Sequence, residues 1–212
     1  MRKVFVIVAL VLVLTVPFVA SAMAPRTLTV FHSNEAWIGF SANRTIWSNL
    51  VNNEGFTVAE FNAYIDHARD QWVRAGIQTF VGDELPPASI QIFGGRRADL
   101  ERLEERLTGA SALTVLVPNP PIQVGTHTFT DASGTRFIPN HRVDLAKVYV
   151  PRQPLIYGWW HADYYRTAFT HELGHALGWF GHSLNTQDVM HRSDGRRPVL
   201  TTRDIEHLRQ NY

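Results

Sequence analysis

The segment His171-Glu172-Leu173-Gly174-His175 places two histidines four residues apart, with a glutamate beside the first. On a helix, positions i and i+4 share one face, so His171 and His175 can aim two imidazoles at one ion. Zinc takes neutral imidazole nitrogens well, and a catalytic site leaves one of its positions open for water. Glu172 lies next to the first ligand, where its carboxylate can reach that water without binding the ion. The chemistry this spacing supports is hydrolysis, with the metal as Lewis acid and Glu172 as general base. The plain alternative is an amphipathic helix with two polar histidines, which needs all three residue types to fall in register by accident.

The surrounding residues must build that helix and end it. Ala168, Phe169, Leu173, Ala176 and Leu177 give the stretch an apolar side, and the spacing predicts a helix over about 166–177. Gly174 is a poor helix former and calls for a reason such as close packing. Gly178 reads as a helix stop, because glycine enters the left-handed conformation at low steric cost. A chain stopped there can turn and bring back a third ligand, for which His182 is the candidate. Met190 follows eight residues later.

His171, Glu172, His175, Gly178, His182 and Met190 together resemble the metzincin clan of zinc proteases, in its matrixin-like branch. That pattern is His-Glu-x-x-His-x-x-Gly-x-x-His, followed by a methionine-containing turn. Three residues separate Gly178 from His182, where the pattern has two. Either Gly181 absorbs the extra residue in a bulge, or the third ligand lies elsewhere. The step from His182 to Met190 fits the matrixin spacing and favours the bulge. The resemblance implies a secreted zinc-dependent endopeptidase acting on proteins or peptides. One catalytic Zn2+ would be held by His171, His175 and His182, with Glu172 as the catalytic base. Met190 would pack beneath the ion without ligating it, and Gly178 would be structural. It also implies an α+β metzincin-like fold: a twisted, mostly parallel sheet packed on two long helices, with a small C-terminal helical subdomain. The glycine-aspartate calcium loops of that family are not evident, so calcium is not indicated. His161-Ala162-Asp163 resembles the start of the family's structural zinc site but stands too close to the active helix for that role. In the family, the segment after the methionine walls the pocket for the residue that follows the cut bond. Here it carries Arg192, Arg196 and Arg197, which reads either as a solvated arginine loop or as a preference for acidic side chains.

Two rivals stay open. One is a gluzincin-type zinc protease whose third ligand, Glu206, comes from a later helix. The other is a non-catalytic exported domain with a structural zinc, which would normally need four protein ligands.

The 212 residues suit one domain, and 45% hydrophobic with 18% charged content is that of a globular chain. A formal net charge of +1 gives no case for nucleic acid or for an anionic membrane surface. The chain has no cysteine, which removes disulfides, thiolate ligands and a prosegment thiol of the kind that keeps matrixins latent. Residues 1–22 read as a signal peptide, with Arg2 and Lys3, an apolar run, and Ala20-Ser21-Ala22 at the cut; an uncleaved N-terminal anchor is the alternative. Residues 23–212 then form a single metalloprotease domain, its upper part reaching to about 182 and its lower part covering 183–212.

Within that domain a strand is expected at 27–32, while the Asn- and Ser-rich stretch 33–56 gives no assignable element. Thr57-Val58-Ala59-Glu60 is a capping box opening a long amphipathic helix that ends near Gly76. Further strands are expected at 89–93, 112–117, 124–130 and 143–150, with a turn at 131–134. A charged helix is expected at 98–107, with Leu100, Leu103 and Leu107 on one side. Thr201-Thr202-Arg203-Asp204 opens a final helix with Ile205 and Leu208 inward.

Overall fold

The capping box at Thr57 forms as its residues predict. Thr57 Oγ1 accepts the Glu60 N–H at 3.2 Å while the Glu60 carboxylate accepts the Thr57 N–H at 2.9 Å, and α1 (Val58–Arg74) runs from there. It ends as a Schellman motif, with Gly76 N–H bonded to Val73 O, Ile77 N–H to Trp72 O, and Gly76 at φ 87°. A computed structural model describes residues 37–40, 45–51, 55–77, 80–81, 90–117, 122–131, 134–143, 145–152, 161–179, 181–192 and 197–209. The expected signal segment at 1–22 and the strand at 27–32 lie outside the described residues.

The fold is α+β, built on a mixed and mostly parallel sheet. Its strands are β2 (Thr45–Leu50), β3 (Phe80–Val81), β4 (Ile90–Arg96), β5 (Leu113–Val117) and β8 (Leu145–Arg152), in the order β3-β2-β4-β8-β5. All neighbours run parallel except β5, which pairs antiparallel with β8 and forms the edge. A separate sheet joins β1 (Trp37–Phe40) to a hairpin of β6 (Ile122–Asp131) and β7 (Gly134–Val143), in the order β1-β7-β6. Its β1 and β7, like β2 and β3, carried no recognised strand signal. The 131–134 turn was legible, but Gly134–Val143 holds a proline and several polar residues and reads poorly as a strand.

Alternation along the main sheet separates two apolar clusters. Ile90 and Ile92 of β4, with Ala146, Val148 and Val150 of β8, face the main core against α1 and α3 (His161–Ala176). Tyr149 and Val115 face the other way, toward Leu100 and Leu107. The helix expected at 98–107 is shorter than its leucine spacing suggested. α2 spans Arg97–Leu103, the backbone opens at Glu104 (φ −149°, ψ 100°), and Glu105–Leu107 form a 3-10 turn. That break carries Leu107 into the core and leaves Leu103 54% exposed.

The two long helices meet through aromatic side chains. Phe56, Phe61 and Tyr64 pack on Tyr165 and Phe169, with Phe56 edge-on to Tyr165 at 4.8 Å and 82°. Arg152, at the end of β8, sits over the Phe56 and Tyr165 rings at 5.1 and 5.3 Å. α4 (Thr202–Arg209) closes the chain, and its Leu208 joins the same core. It also returns to the first helix, where Arg209 donates to the Ala75 carbonyl at the C-terminal end of α1. Among the described residues no helix is long and apolar enough to cross a membrane.

Candidate metal centre

α3 begins at His161, five residues before the stretch its apolar spacing predicted. His161-Ala162-Asp163 is therefore the first turn of this helix, where the Asp163 carboxylate pairs with Arg166 at 2.9 Å. At the other end Gly178 N–H bonds to His175 O and Trp179 N–H to Gly174 O, with Gly178 at φ 111°. This is the same Schellman ending as in α1, and it turns the chain back toward the helix. Gly181 follows at φ 86°, in the left-handed conformation, directly before His182.

His171, His175 and His182 come together, each with a ring nitrogen within 4.8 Å of the others. Glu206, on α4, does not belong to this group, and no fourth His, Asp or Glu among the described residues completes it. Backbone contacts fix which nitrogens face inward. His171 Nδ1 lies 2.7 Å from Val189 O and His175 Nδ1 lies 2.8 Å from Trp179 O. A carbonyl only accepts, so both Nδ1 atoms carry the proton and both Nε2 atoms present lone pairs. Those Nε2 atoms are 3.1 Å apart. Two acceptors at that distance repel unless a cation lies between them. Two nitrogens on one tetrahedral zinc, with bonds of about 2.0–2.1 Å, would stand about 3.3 Å apart. The residues fit a zinc-sized ion, with Val189 O and Trp179 O as the outer partners that orient the rings.

Electrostatics favour neutral rings. Burial, reinforced by His171 and His182, pushes the His175 imidazole well below its ordinary range. Burial, then His171, His191 and Arg192, push His182 down to about 4. At neutral pH both rings are then the neutral imidazoles that a metal binds.

Met190 is fully buried, and its place explains the helix-interior glycine. A Cβ on Gly174 would stand 2.5 Å from Met190 Sδ and 2.8 Å from Trp72 Cζ2. The Trp72 indole enters there to donate to Thr170 O at 2.9 Å, locking α1 to α3 beneath the histidines. Alanine favours helix by about 1 kcal/mol over glycine, yet Gly174→Ala is expected to destabilise the fold by about 1–3 kcal/mol through overpacking. A urea midpoint above that of the wild type would contradict this.

The methionine turn is held by two buried aspartates that the sequence did not single out for this task. Asp204 accepts from the N–H groups of Val189 (3.0 Å), Met190 (3.2 Å) and Thr201 (2.9 Å). Burial raises its carboxyl pKa, against the lowering effect of those three donors. Asp188 is also desolvated, but Arg203, Ser183 and Thr201 outweigh that and hold its carboxyl low. Ser183 N–H in turn donates to Met190 O at 2.7 Å, tying the His182 loop to the methionine.

A cavity of about 300 Å³ opens beside the histidines. Its walls include His171, Glu172, His182, Tyr164, Ala112 and Arg192. Glu172 is 7% exposed, and its Oε2 lies 2.7 Å from Thr114 Oγ1 on β5. Thr114 escaped the sequence reading because threonine is an ordinary β-former. The only available signal was one hydroxyl in the otherwise apolar run Leu113–Val117.

No protein-family model matches this sequence, and no curated protein matches it.

Proposed function

We propose that this chain is a zinc-dependent endopeptidase of metzincin-like design, exported by its N-terminal segment. The observation that carries the reading is the convergence of three imidazoles, two of them with lone pairs fixed toward each other, beside a buried carboxylate on one cavity. His171, His175 and His182 would hold the ion, which supplies a Lewis acid for a peptide carbonyl and for water. Glu172 would take one proton from the attacking water as its oxygen bonds to the carbonyl carbon. When the carbon–nitrogen bond breaks, Glu172 would return that proton to the leaving amine. His171 and His175 keep their orientation because their Nδ1–H groups are already committed to the backbone. Met190 and Trp72 would hold the floor rigid by filling the space that Gly174 leaves.

The cavity is the natural seat for the substrate side chain that follows the cut bond. Arg192 on its wall favours an acidic side chain there. The test is incubation of the zinc-loaded protein with an unfolded protein substrate and sequencing of the new termini. Cleavage is expected, with Asp and Glu enriched after the cut bond and the enrichment reversed by Arg192→Glu. No cleavage with zinc bound would overturn the endopeptidase reading. Cleavage without acidic enrichment would dispose of the role given to Arg192 alone.

A further inference from the structure

Strand alternation aims Thr114 at the active helix. On β5, Val115 turns toward Leu100 and Leu107, while Leu116 packs on the main core from the opposite face. Thr114 shares the face of Leu116 two residues away. Its partner in register is Val148, buried on that same face. The hydroxyl therefore meets α3, 2.7 Å from Glu172 Oε2 and 3.0 Å from the Glu172 carbonyl oxygen.

A threonine hydroxyl has one proton to give. The Glu172 carbonyl lies inside α3, where the helix ladder already supplies its donor. The carboxylate oxygen is the nearer acceptor, and a bond to an anion is the stronger. The proton therefore goes to Oε2. A glutamate's last torsion is broad and nearly two-fold, so an unheld carboxylate has no single orientation.

We propose that Thr114 is the positioning residue for Glu172. Its hydroxyl anchors Oε2 and so fixes the plane in which the carboxylate meets the attacking water. The proposal rests on the reading of Glu172 as general base. It also gives the edge strand a second task. Ala112, just before β5, lines the cavity, so the segment that borders the substrate also sets the base. A misplacement of about 1 Å in such a group can cost about 10²-fold in rate.

The test compares wild type, Thr114→Val and Thr114→Ser as full chains loaded with zinc. Valine keeps the shape and removes the hydroxyl, while serine keeps the hydroxyl. Thr114→Val is expected to lower kcat by about 10–100-fold with KM changed by less than about twofold, and Thr114→Ser to restore most of the rate. All three are expected to bind zinc equally and to give the same circular dichroism. A second readout needs no turnover. The side-chain carboxyl ¹³C resonance of Glu172, assigned by its loss in Glu172→Gln, is expected to move in Thr114→Val and to stay in Thr114→Ser. An unmoved resonance in Thr114→Val, or a wild-type kcat, overturns the proposal. So does an equal loss of rate in the serine and valine variants. A wild type that cuts nothing sinks the peptidase reading, and the resonance then decides on Thr114 by itself.

Discussion

Glu172→Gln is expected to keep the fold and the metal while losing turnover by about 10²–10⁴-fold, the range that general acid–base catalysis supplies. Three observations make the separation clean. Glu172 stands outside the histidine group that would hold the ion. Its carboxylate lines the cavity next to His171 and His182. The Thr114 hydroxyl donates to its carboxylate at 2.7 Å, and it can donate to an amide oxygen in the same place. Glutamine therefore keeps the shape and an oxygen for that bond, and removes the carboxylate that takes a proton. Glu172→Ala makes the same point with less finesse, since it also empties a buried site. The check is zinc content, circular dichroism and hydrolysis rate measured on one preparation. Full zinc with wild-type turnover in Glu172→Gln would remove Glu172 from the mechanism. Lost zinc would mean that Glu172 supports the metal rather than the proton transfer.

The parts of this site that the sequence discloses are those whose physics is local. A capping box needs only Thr57 and Glu60, three positions apart, and it is present at hydrogen-bond distances. A helix stop needs only a glycine at the right step, and Gly76 and Gly178 both take the left-handed conformation. The i, i+4 histidines need only a helix. Gly181 shows the edge of this class: a glycine before His182 is visible in the sequence, though its left-handed conformation is not.

What stayed hidden depends on partners far away in the chain. The reason for Gly174 is the Trp72 indole and the Met190 sulfur, which arrive from a different helix and from a loop. Thr114 looks like any strand residue until α3 places Glu172 against it. Asp204 was legible as part of the Thr201–Asp204 opening of the last helix, and it also collects the backbone N–H groups under the methionine turn. Leu103 failed for the opposite reason. Its spacing was right for a helix, but the helix ends at Glu104, so the periodicity was carried past the break.

The identity of the third ligand gives the second large expected effect. His182→Ala should weaken zinc binding by more than the about 10–100-fold that loss of an outer-shell partner costs, because an inner ligand is gone. His171→Ala and His175→Ala should do the same, whereas Glu206→Ala should leave zinc content unchanged. The geometry behind this is specific. The His182 ring stacks at 5.2 Å from His171 and stands edge-on at 5.0 Å to His175, so three imidazoles surround one point. Burial, with His171, His191 and Arg192 beside it, lowers the His182 pKa to about 4, so the ring is neutral at the near-neutral pH where zinc would be tested. The loop that carries it is anchored at both ends, by the left-handed Gly181 and by the Ser183 bond to Met190. Measuring zinc affinity by competition with a chelator across the four variants separates the readings. Retained zinc in His182→Ala with loss in Glu206→Ala would establish the acidic-ligand alternative. Retained zinc in both would mean that the ion sits on two histidines and a group outside the described residues, and would favour a structural staple over an open catalytic site.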